Sequence, residues 1–303
     1  MELVRTHNSL ALWRDRTGAF SLARTLALAI VLAPALPLFW RAGTGDFGPR
    51  PLTEISHATG LWALRLLAVT MAITPLIEIL RLPRLASARR YLGVGVFGWL
   101  AAHLLAFIAD KSFSLAVVAQ EIFVRVYLLI GAGALLVFAA LAATSCDGAI
   151  RRLGAKNWKR LHRLVYAATL AGLVHFFMQS KLDVSEPTAM AGVFAFLGFL
   201  RLPRRFGRTL TPPIVLAAGA LTTALVALAE AAWYALAMGA SFGALIAADF
   251  SLEAGLRPCW AAMAAGIAMA LAGGLVRALA AARAVKRAGV SNDATRSACT
   301  YIR

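Results

Sequence analysis

Unbroken apolar stretches of about twenty residues recur along the whole chain, and they limit the folds that it can adopt. An α-helix needs about 20 apolar residues to cross the roughly 30 Å hydrocarbon core of a bilayer. Of the 303 residues, 60% are apolar and only 15% are charged. The sequence therefore predicts an all-α, polytopic transmembrane helix bundle, with spans near residues 20–40, 58–79, 91–109, 122–144, 161–179, 187–202, 212–238 and 258–280.

The net charge of +17 is distributed unevenly between the segments that join these spans. Of the 31 lysines and arginines, 24 fall in the N-terminal segment, in alternate connections and in the C-terminal tail. Eight of the 14 acidic residues fall on the opposite side. This alternation follows the positive-inside rule and predicts that both termini are cytoplasmic. Because topology explains the basicity, nucleic acid is not an expected partner.

Motifs for soluble cofactors are absent from the sequence. Cys146, Cys259 and Cys299 are scattered, so they predict neither a metal cluster nor a disulfide framework. No G-x-G-x-x-G follows a strand pattern, and there is no Walker A sequence. Electrons or energy are therefore expected to come from a partner, a lipid-soluble carrier or a gradient.

The composition changes after about residue 205. The first six spans carry aromatic residues and histidines, whereas the last hundred residues are rich in alanine and contain no histidine. This change predicts a functional core followed by an appended hairpin. The expected parts are a cytoplasmic N-terminal segment (1–19), a transmembrane core (20–205), an additional transmembrane hairpin (206–285) and a polar cytoplasmic tail (286–303).

Four of the five histidines lie within or at the edge of predicted spans: His57, His103, His162 and His175. Ionisable groups inside a membrane are rare and usually functional, although one histidine can simply hydrogen-bond to a neighbouring helix. Four together favour a functional interpretation.

The predicted topology gives each histidine a depth. His103 and His175 fall at the same outer depth on two different spans, which is the arrangement for bis-histidine ligation of a haem between helices. His162 lies about 20 Å below His175 along an ideal helix, and about 220° around it. The two would therefore face different grooves unless the helix is distorted. Arg89 stands where a matching lower ligand would be expected, so the second ligand for His162 is left open.

Two further sets of residues each have two interpretations. Gly93, Gly95 and Gly98 either allow close helix packing or leave room for a flat macrocycle. Four arginines either bind haem propionates, a flavin phosphate or anionic lipid, or only set the topology: Arg89, Arg90, Arg151 and Arg152.

Three stretches carry a resemblance to a known family. They read RPLTEISHATGLWALRLLAVTMAITPL, ARRYLGVGVFGWLAAHLLAFIAD and ATSCDGAIRRLGAKNWKRLHRLVYAATLAGLVHFFMQSK. Over about residues 50–205 the chain resembles the haem-binding membrane subunit of the periplasmic protein-methionine-sulfoxide reductase, within the wider ferric-reductase-like transmembrane group. The hairpin after residue 205 departs from this family.

The resemblance implies a six-helix b-type cytochrome in the bacterial inner membrane, with haem b and FMN as cofactors. It implies a heterodimer with a periplasmic molybdopterin-containing catalytic subunit that repairs oxidised methionine in proteins, with quinol as the electron donor. By position, the haem-iron ligands would be His103, His162 and His175, and His57 would be a further haem or quinone contact. The FMN rests on the resemblance alone.

The leading hypothesis is thus an electron-transfer subunit of an oxidoreductase complex, with no substrate chemistry of its own. One alternative is a ferric-reductase-like electron carrier with another partner. Another is a proton-coupled transporter, with a histidine relay and with Arg65 and Glu230 as intramembrane charges. The absence of an internal repeat of interrupted helices disfavours the transporter, and haem content would separate the two classes.

Overall fold

The computed structural model of the chain describes Trp13 and residues 19–181, 183–251, 255 and 257–300, with side chains up to Ala282. This part of the chain is almost entirely helical and contains no β-strand, so the predicted all-α fold is confirmed. In chain order its α-helices are α1 (Leu22–Leu32), α2 (Ala35–Thr44), α3 (Pro51–Leu80), α4 (Ala88–Asp110), α5 (Leu115–Val124), α6 (Val126–Ala143), α7 (Asp147–His162), α8 (Leu164–Ser180), α9 (Ser185–Phe199), α10 (Leu202–Arg205), α11 (Pro212–Met238), α12 (Phe242–Phe250) and α13 (Trp260–Thr300).

Long apolar helical segments confirm the predicted membrane-spanning character. Large apolar side chains point away from the protein, such as Phe39 at 76% exposed and Leu236 at 89% exposed. Lipid contact requires such a surface. Seven segments within the described residues are long and apolar enough to cross a membrane: Leu22–Thr44, Pro51–Leu80, Pro83–Asp110, Val126–Ala143, Asp147–Ser180, Pro212–Met238 and Trp260–Ala282.

The predicted sixth span, residues 187–202, differs from this pattern. It corresponds to α9, which has 15 residues and is therefore about 22 Å long. The hydrocarbon core is about 30 Å thick, so the eight full-length spans that the sequence predicted are not confirmed. The helix stops because a turn at Leu200–Arg201 and the proline-containing α10 follow directly. The cytoplasmic placement of both termini stays a prediction.

The chain divides into two compact units. The first comprises Met1–Thr74 and Arg84–Phe194, and the second comprises Pro75–Pro83 and Ala195–Arg303. The second unit thus begins before the boundary expected near residue 205, and it includes the end of α3. Glu78 on that end accepts a hydrogen bond from the backbone N–H of Leu210 (2.7 Å) and pairs with Arg204 (3.4 Å).

A buried ionic cluster lies in the second unit, where α11 and α12 meet the start of α13. Arg257 donates from Nη2 to Glu230 Oε1 and from Nε to Asp249 Oδ1, each at 3.0 Å. The two acidic residues are 2% and 1% exposed, respectively. The Cys259 thiol is also buried there, and burial, followed by the nearby carboxylates of Asp249 and Glu230, raises its pKa to about 11.

Two of the expected parts fall at the chain ends. The predicted N-terminal segment, residues 1–19, lies outside the described residues except for Trp13 and Ala19. The predicted tail from residue 286 is described in its backbone as far as Thr300, where it continues α13 as helix.

The basic connection before the fifth predicted span is itself helical. This helix, α7, is interrupted at Gly154, whose φ of +74° is a conformation that favours glycine. Arg163 then separates α7 from α8. Residues 161–179, predicted as one span, therefore combine the end of α7 with most of α8.

Candidate functional site: a pair of facing histidines

His103 on α4 and His175 on α8 are brought together within the first unit. Their ring centroids are 6.2 Å apart and the ring planes are inclined at 82°. The two side chains come from different helices, in agreement with their predicted common depth. The structure thus forms a histidine pair between two transmembrane helices.

A main-chain carbonyl on another helix orients each of these imidazoles. His103 Nδ1 lies 2.7 Å from the carbonyl oxygen of Ser56 on α3. His175 Nδ1 lies 2.7 Å from the carbonyl oxygen of Tyr127 on α6. A carbonyl can only accept, so in both rings Nδ1 carries the proton and donates it. The two Nε2 atoms are then unprotonated, which is the form in which histidine binds a metal.

A glycine lies four residues after each of these carbonyls. A Cβ atom added at Gly60 would lie 3.0 Å from His103 Nδ1, and one added at Gly131 would lie 2.7 Å from His175 Nδ1. A helical side chain covers the turn that precedes its own Cα. Glycine at this position therefore uncovers the carbonyl four residues earlier and leaves space for the imidazole ring.

The spacing of the pair fits two ligands on opposite sides of one metal ion. Metal–nitrogen distances of about 2.0–2.1 Å, with each ring centre about 1 Å behind its nitrogen, place the two centroids about 6 Å apart. His103 and His175 would hold the iron of a macrocycle such as haem, which would supply one-electron chemistry. No group of three or more His, Cys, Asp or Glu side chains suited to a bare metal ion occurs within the described residues.

His162 has a different environment at the end of α7. Its ring stacks on that of Trp158 with centroids 3.9 Å apart, and its Nδ1 lies 3.2 Å from the Trp158 carbonyl. The Trp158 indole N–H donates to the Thr144 carbonyl (2.9 Å), which fixes the stack. The Leu141 carbonyl lies close to the His162 ring, but among the described residues the buried His162 Nε2 has no hydrogen-bond partner.

The structure divides the segment that carries His162 and His175 into α7 and α8 at Arg163, but the φ of −70° and ψ of −21° at Arg163 are helical. The angle of about 220° between the two histidines therefore stays a prediction. A buried polar atom without a partner costs free energy and calls for an explanation. Metal ligation through Nε2 would supply one.

His57 lies near the N-terminal end of α3, next to Ser56. Its Nε2 is 3.3 Å from the side-chain amide nitrogen of Gln179, which is one turn after His175 on α8. The amide therefore donates to an unprotonated His57 Nε2. His57 is exposed and Gln179 is partly buried, so the histidine of this polar pair is accessible beside the elements that hold the histidine pair.

The four predicted anion-binding arginines lie on α4 and α7. Arg89 donates to the Thr74 hydroxyl (3.1 Å), and Arg90 pairs with Asp147 in the first turn of α7 (2.6 Å). Arg151 and Arg152 are exposed on α7. The structure thus gives two of the arginines local partners, and their role towards a cofactor stays a prediction.

The three glycines on α4 do not share one role. A Cβ at Gly95 would lie 2.5 Å from the Val31 side chain of α1, which fits the close-packing interpretation. A Cβ at Gly93 or Gly98 would meet no atom within 4 Å.

The sequence did not point to several residues that hold the histidines. Ser56, Tyr127 and Trp158 contribute through carbonyl groups or ring stacking, and Gln179 through its amide. A carbonyl acceptor leaves no signal in the residue type. The available signal was glycine: Gly131 lies within the predicted span 122–144, and a Cβ there would meet the His175 ring.

Comparison with known proteins gives one family. A family model described as "Ferric reductase like transmembrane component" matches residues 59–173, a range that includes His103 and His162. The chain is 40% identical over 182 residues to the "Protein-methionine-sulfoxide reductase heme-binding subunit MsrQ" of Xanthomonas axonopodis pv. citri (strain 306), covering 58% of this chain and 83% of that relative. The protein with the same name from Rhodospirillum rubrum is 36% identical over 204 residues, covering 64% and 94%. No solved structure matches.

Proposed function

Because the chain belongs to the family of heme-binding subunits of protein-methionine-sulfoxide reductase, we propose that it is a b-type cytochrome subunit of the bacterial inner membrane. It passes electrons from the quinone pool to a periplasmic molybdopterin-containing methionine sulfoxide reductase, which repairs oxidised proteins. The chain has no substrate chemistry of its own in this proposal. Its task is to hold redox groups within the membrane.

One observation carries the proposal: the His103–His175 pair. The two imidazoles lie at a spacing that suits one metal ion, and a carbonyl accepts the proton of each Nδ1, which leaves Nε2 unprotonated. A haem bound by this pair would carry single electrons between a donor and an acceptor. Both glycine positions, Gly60 and Gly131, keep the rings in this orientation.

His162 provides a ligand to a second iron nearer the cytoplasmic face. Its buried and unpartnered Nε2 supports this role, and the Trp158 stack holds the ring in place. The chain would then hold redox groups at two depths. The matching ligand on the other side of that iron is not assigned.

Quinol delivers the electrons at the His57–Gln179 pair, whose histidine is exposed. The unprotonated His57 Nε2 can accept a proton from a quinol hydroxyl, and Gln179 orients the imidazole. Arg89, Arg90, Arg151 and Arg152 bind anionic groups, such as haem propionates, the phosphate of FMN or lipid headgroups. The family resemblance is the only support for FMN.

The transporter hypothesis has less support. Its two intramembrane charges each have an opposite charge close by: Arg65 pairs with Glu186 at 3.4 Å, and Glu230 pairs with Arg257. Arg65 also stacks over the Trp62 ring. An electron carrier with another outer partner would share the same histidine pair and would differ only in its acceptor.

A reduced-minus-oxidised optical spectrum of the purified full-length protein, expressed with ample haem, tests the proposal. We expect a b-type spectrum in the wild type, and its loss or a drop to about half in both His103→Ala and His175→Ala. His7→Ala, outside the predicted spans, is the control and should keep the wild-type spectrum. A colourless wild type would overturn the cytochrome proposal and favour the transporter.

A further inference from the structure

Ser56 touches His103 through both of its oxygens. Its carbonyl oxygen lies 2.7 Å from His103 Nδ1, and its hydroxyl oxygen lies 3.2 Å from the same nitrogen. The hydroxyl also donates to the His103 carbonyl at 3.3 Å. Because the hydroxyl proton is directed to that carbonyl, the lone pairs of Oγ remain for the imidazole. The Nδ1–H of His103 is thus shared between two acceptor oxygens of one residue.

The other member of the pair is held differently. Within the described part of the chain, His175 Nδ1 has one hydrogen-bond acceptor, the Tyr127 carbonyl at 2.7 Å. Ser56 is 7% exposed, so its hydroxyl acts away from bulk water, where hydrogen bonds are electrostatically stronger. The two otherwise similar ligands therefore differ by one buried hydroxyl group.

A stronger acceptor on the Nδ1–H of a ligating histidine makes Nε2 a better electron donor. Such a ligand stabilises the oxidised iron more than the reduced iron, so it lowers the reduction potential. We propose that the Ser56 hydroxyl is a positioning group that orients His103 and lowers the potential of the haem held between His103 and His175. This inference rests on the proposed function, because it requires a haem at that pair.

The potential is measured by redox titration of the full-length protein, with the outer haem identified as the component that is lost in His175→Ala. We expect Ser56→Ala to keep the wild-type haem-to-protein ratio and to shift the midpoint of this component to a more positive value. The electron paramagnetic resonance signal of the ferric haem should shift as well. Ser56→Thr, which keeps a hydroxyl, should return both quantities towards wild type.

Thr169→Val is the matched control, since this buried hydroxyl bonds only within α8, to the Val165 carbonyl. If the alanine variant fails to fold, Ser56→Cys is measured instead. Its thiol has a shape similar to that of the hydroxyl but is a weaker hydrogen-bond acceptor, so the midpoint should also become more positive. A wild-type midpoint in the haem-containing alanine or cysteine variant would overturn the inference and leave the cytochrome proposal intact. A wild type without haem would instead overturn the proposed function.

Discussion

The ring centroid of His175 lies 6.2 Å from that of His103. The Nδ1 atom of each ring lies 2.7 Å from a backbone carbonyl, and a glycine follows each carbonyl residue by four positions. The two proposed ligands are thus oriented by helices α3 and α6, which carry neither of them. Positions outside the ligand set should therefore control haem binding, and the following predictions test this and other features of the structure.

Gly131→Ala should disturb the outer haem. The new Cβ atom would lie 2.7 Å from His175 Nδ1, so the ring has to move away from the Tyr127 carbonyl. Overpacking of this kind costs about 1–3 kcal/mol. We expect reduced haem content or a shifted absorption spectrum in the purified protein.

Gly133→Ala is the matched control on the same helix, because a Cβ there would meet no atom within 4 Å. Gly60→Ala should have a smaller effect than Gly131→Ala, since its Cβ would lie 3.0 Å from His103 Nδ1. Equal haem content and identical spectra in the Gly131 and Gly133 variants would contradict the steric argument.

Arg257→Met should destabilise the second unit. It would leave the buried carboxylates of Glu230 and Asp249 without their cation. Removing one partner from a buried ionic group costs about 3–5 kcal/mol. We expect faster proteolysis and a lower unfolding temperature of the C-terminal region.

The triple variant Glu230→Gln, Asp249→Asn, Arg257→Met removes all three charges together and should recover much of the lost stability. If the single and triple variants unfold alike, the ionic cluster does not stabilise the unit in the way described.

Cys259 should resist thiol reagents at neutral pH. Its folded pKa of about 11 keeps it protonated, and the thiolate is the reactive form. In a Cys299→Ser background, maleimide should label the exposed Cys146 readily and Cys259 only after unfolding. Mass spectrometry of tryptic peptides distinguishes the two sites.

The same burial predicts a stability change in alkali. An unfolded thiol ionises near pH 9.0, whereas the folded Cys259 ionises near 11. The contribution to stability is therefore complete below about pH 9 and is lost as the pH rises towards 11. Cys259→Ala should reduce the loss of folding stability between about pH 9 and pH 11. Alkaline unfolding identical to that of the wild type would contradict this prediction.

His57→Ala should separate haem binding from quinol oxidation. The variant lacks the proton acceptor at the His57–Gln179 pair but keeps the His103–His175 pair. Loss of a general base slows a proton-coupled step by about 10²–10⁴-fold. We expect normal haem content and normal reduction by dithionite, but slow reduction by a short-chain quinol. Wild-type quinol kinetics would assign the donor site elsewhere.

The sequence predicted the helical membrane fold and the meeting of His103 with His175, because apolar length and charge alternation determine both. It did not predict helix α7 in the basic connection before the fifth span, because charged residues interrupt the apolar pattern there. The sixth predicted span, 187–202, was placed two to three residues too far along the chain, because an apolar residue follows Phe199 although the helix ends there. The contribution of Ser56 was missed because it depends on tertiary contact.

Main-chain support of the ligands has an evolutionary consequence. No side-chain substitution at position 127 can delete the carbonyl that orients His175, although the Tyr127 ring also lies 5.9 Å from the His175 ring. An added Cβ at position 60 or 131 would instead press on an imidazole while the helices keep this distance. The orientation of the imidazoles is then inherited through helix spacing, and divergence among relatives should be narrowest at these two glycines.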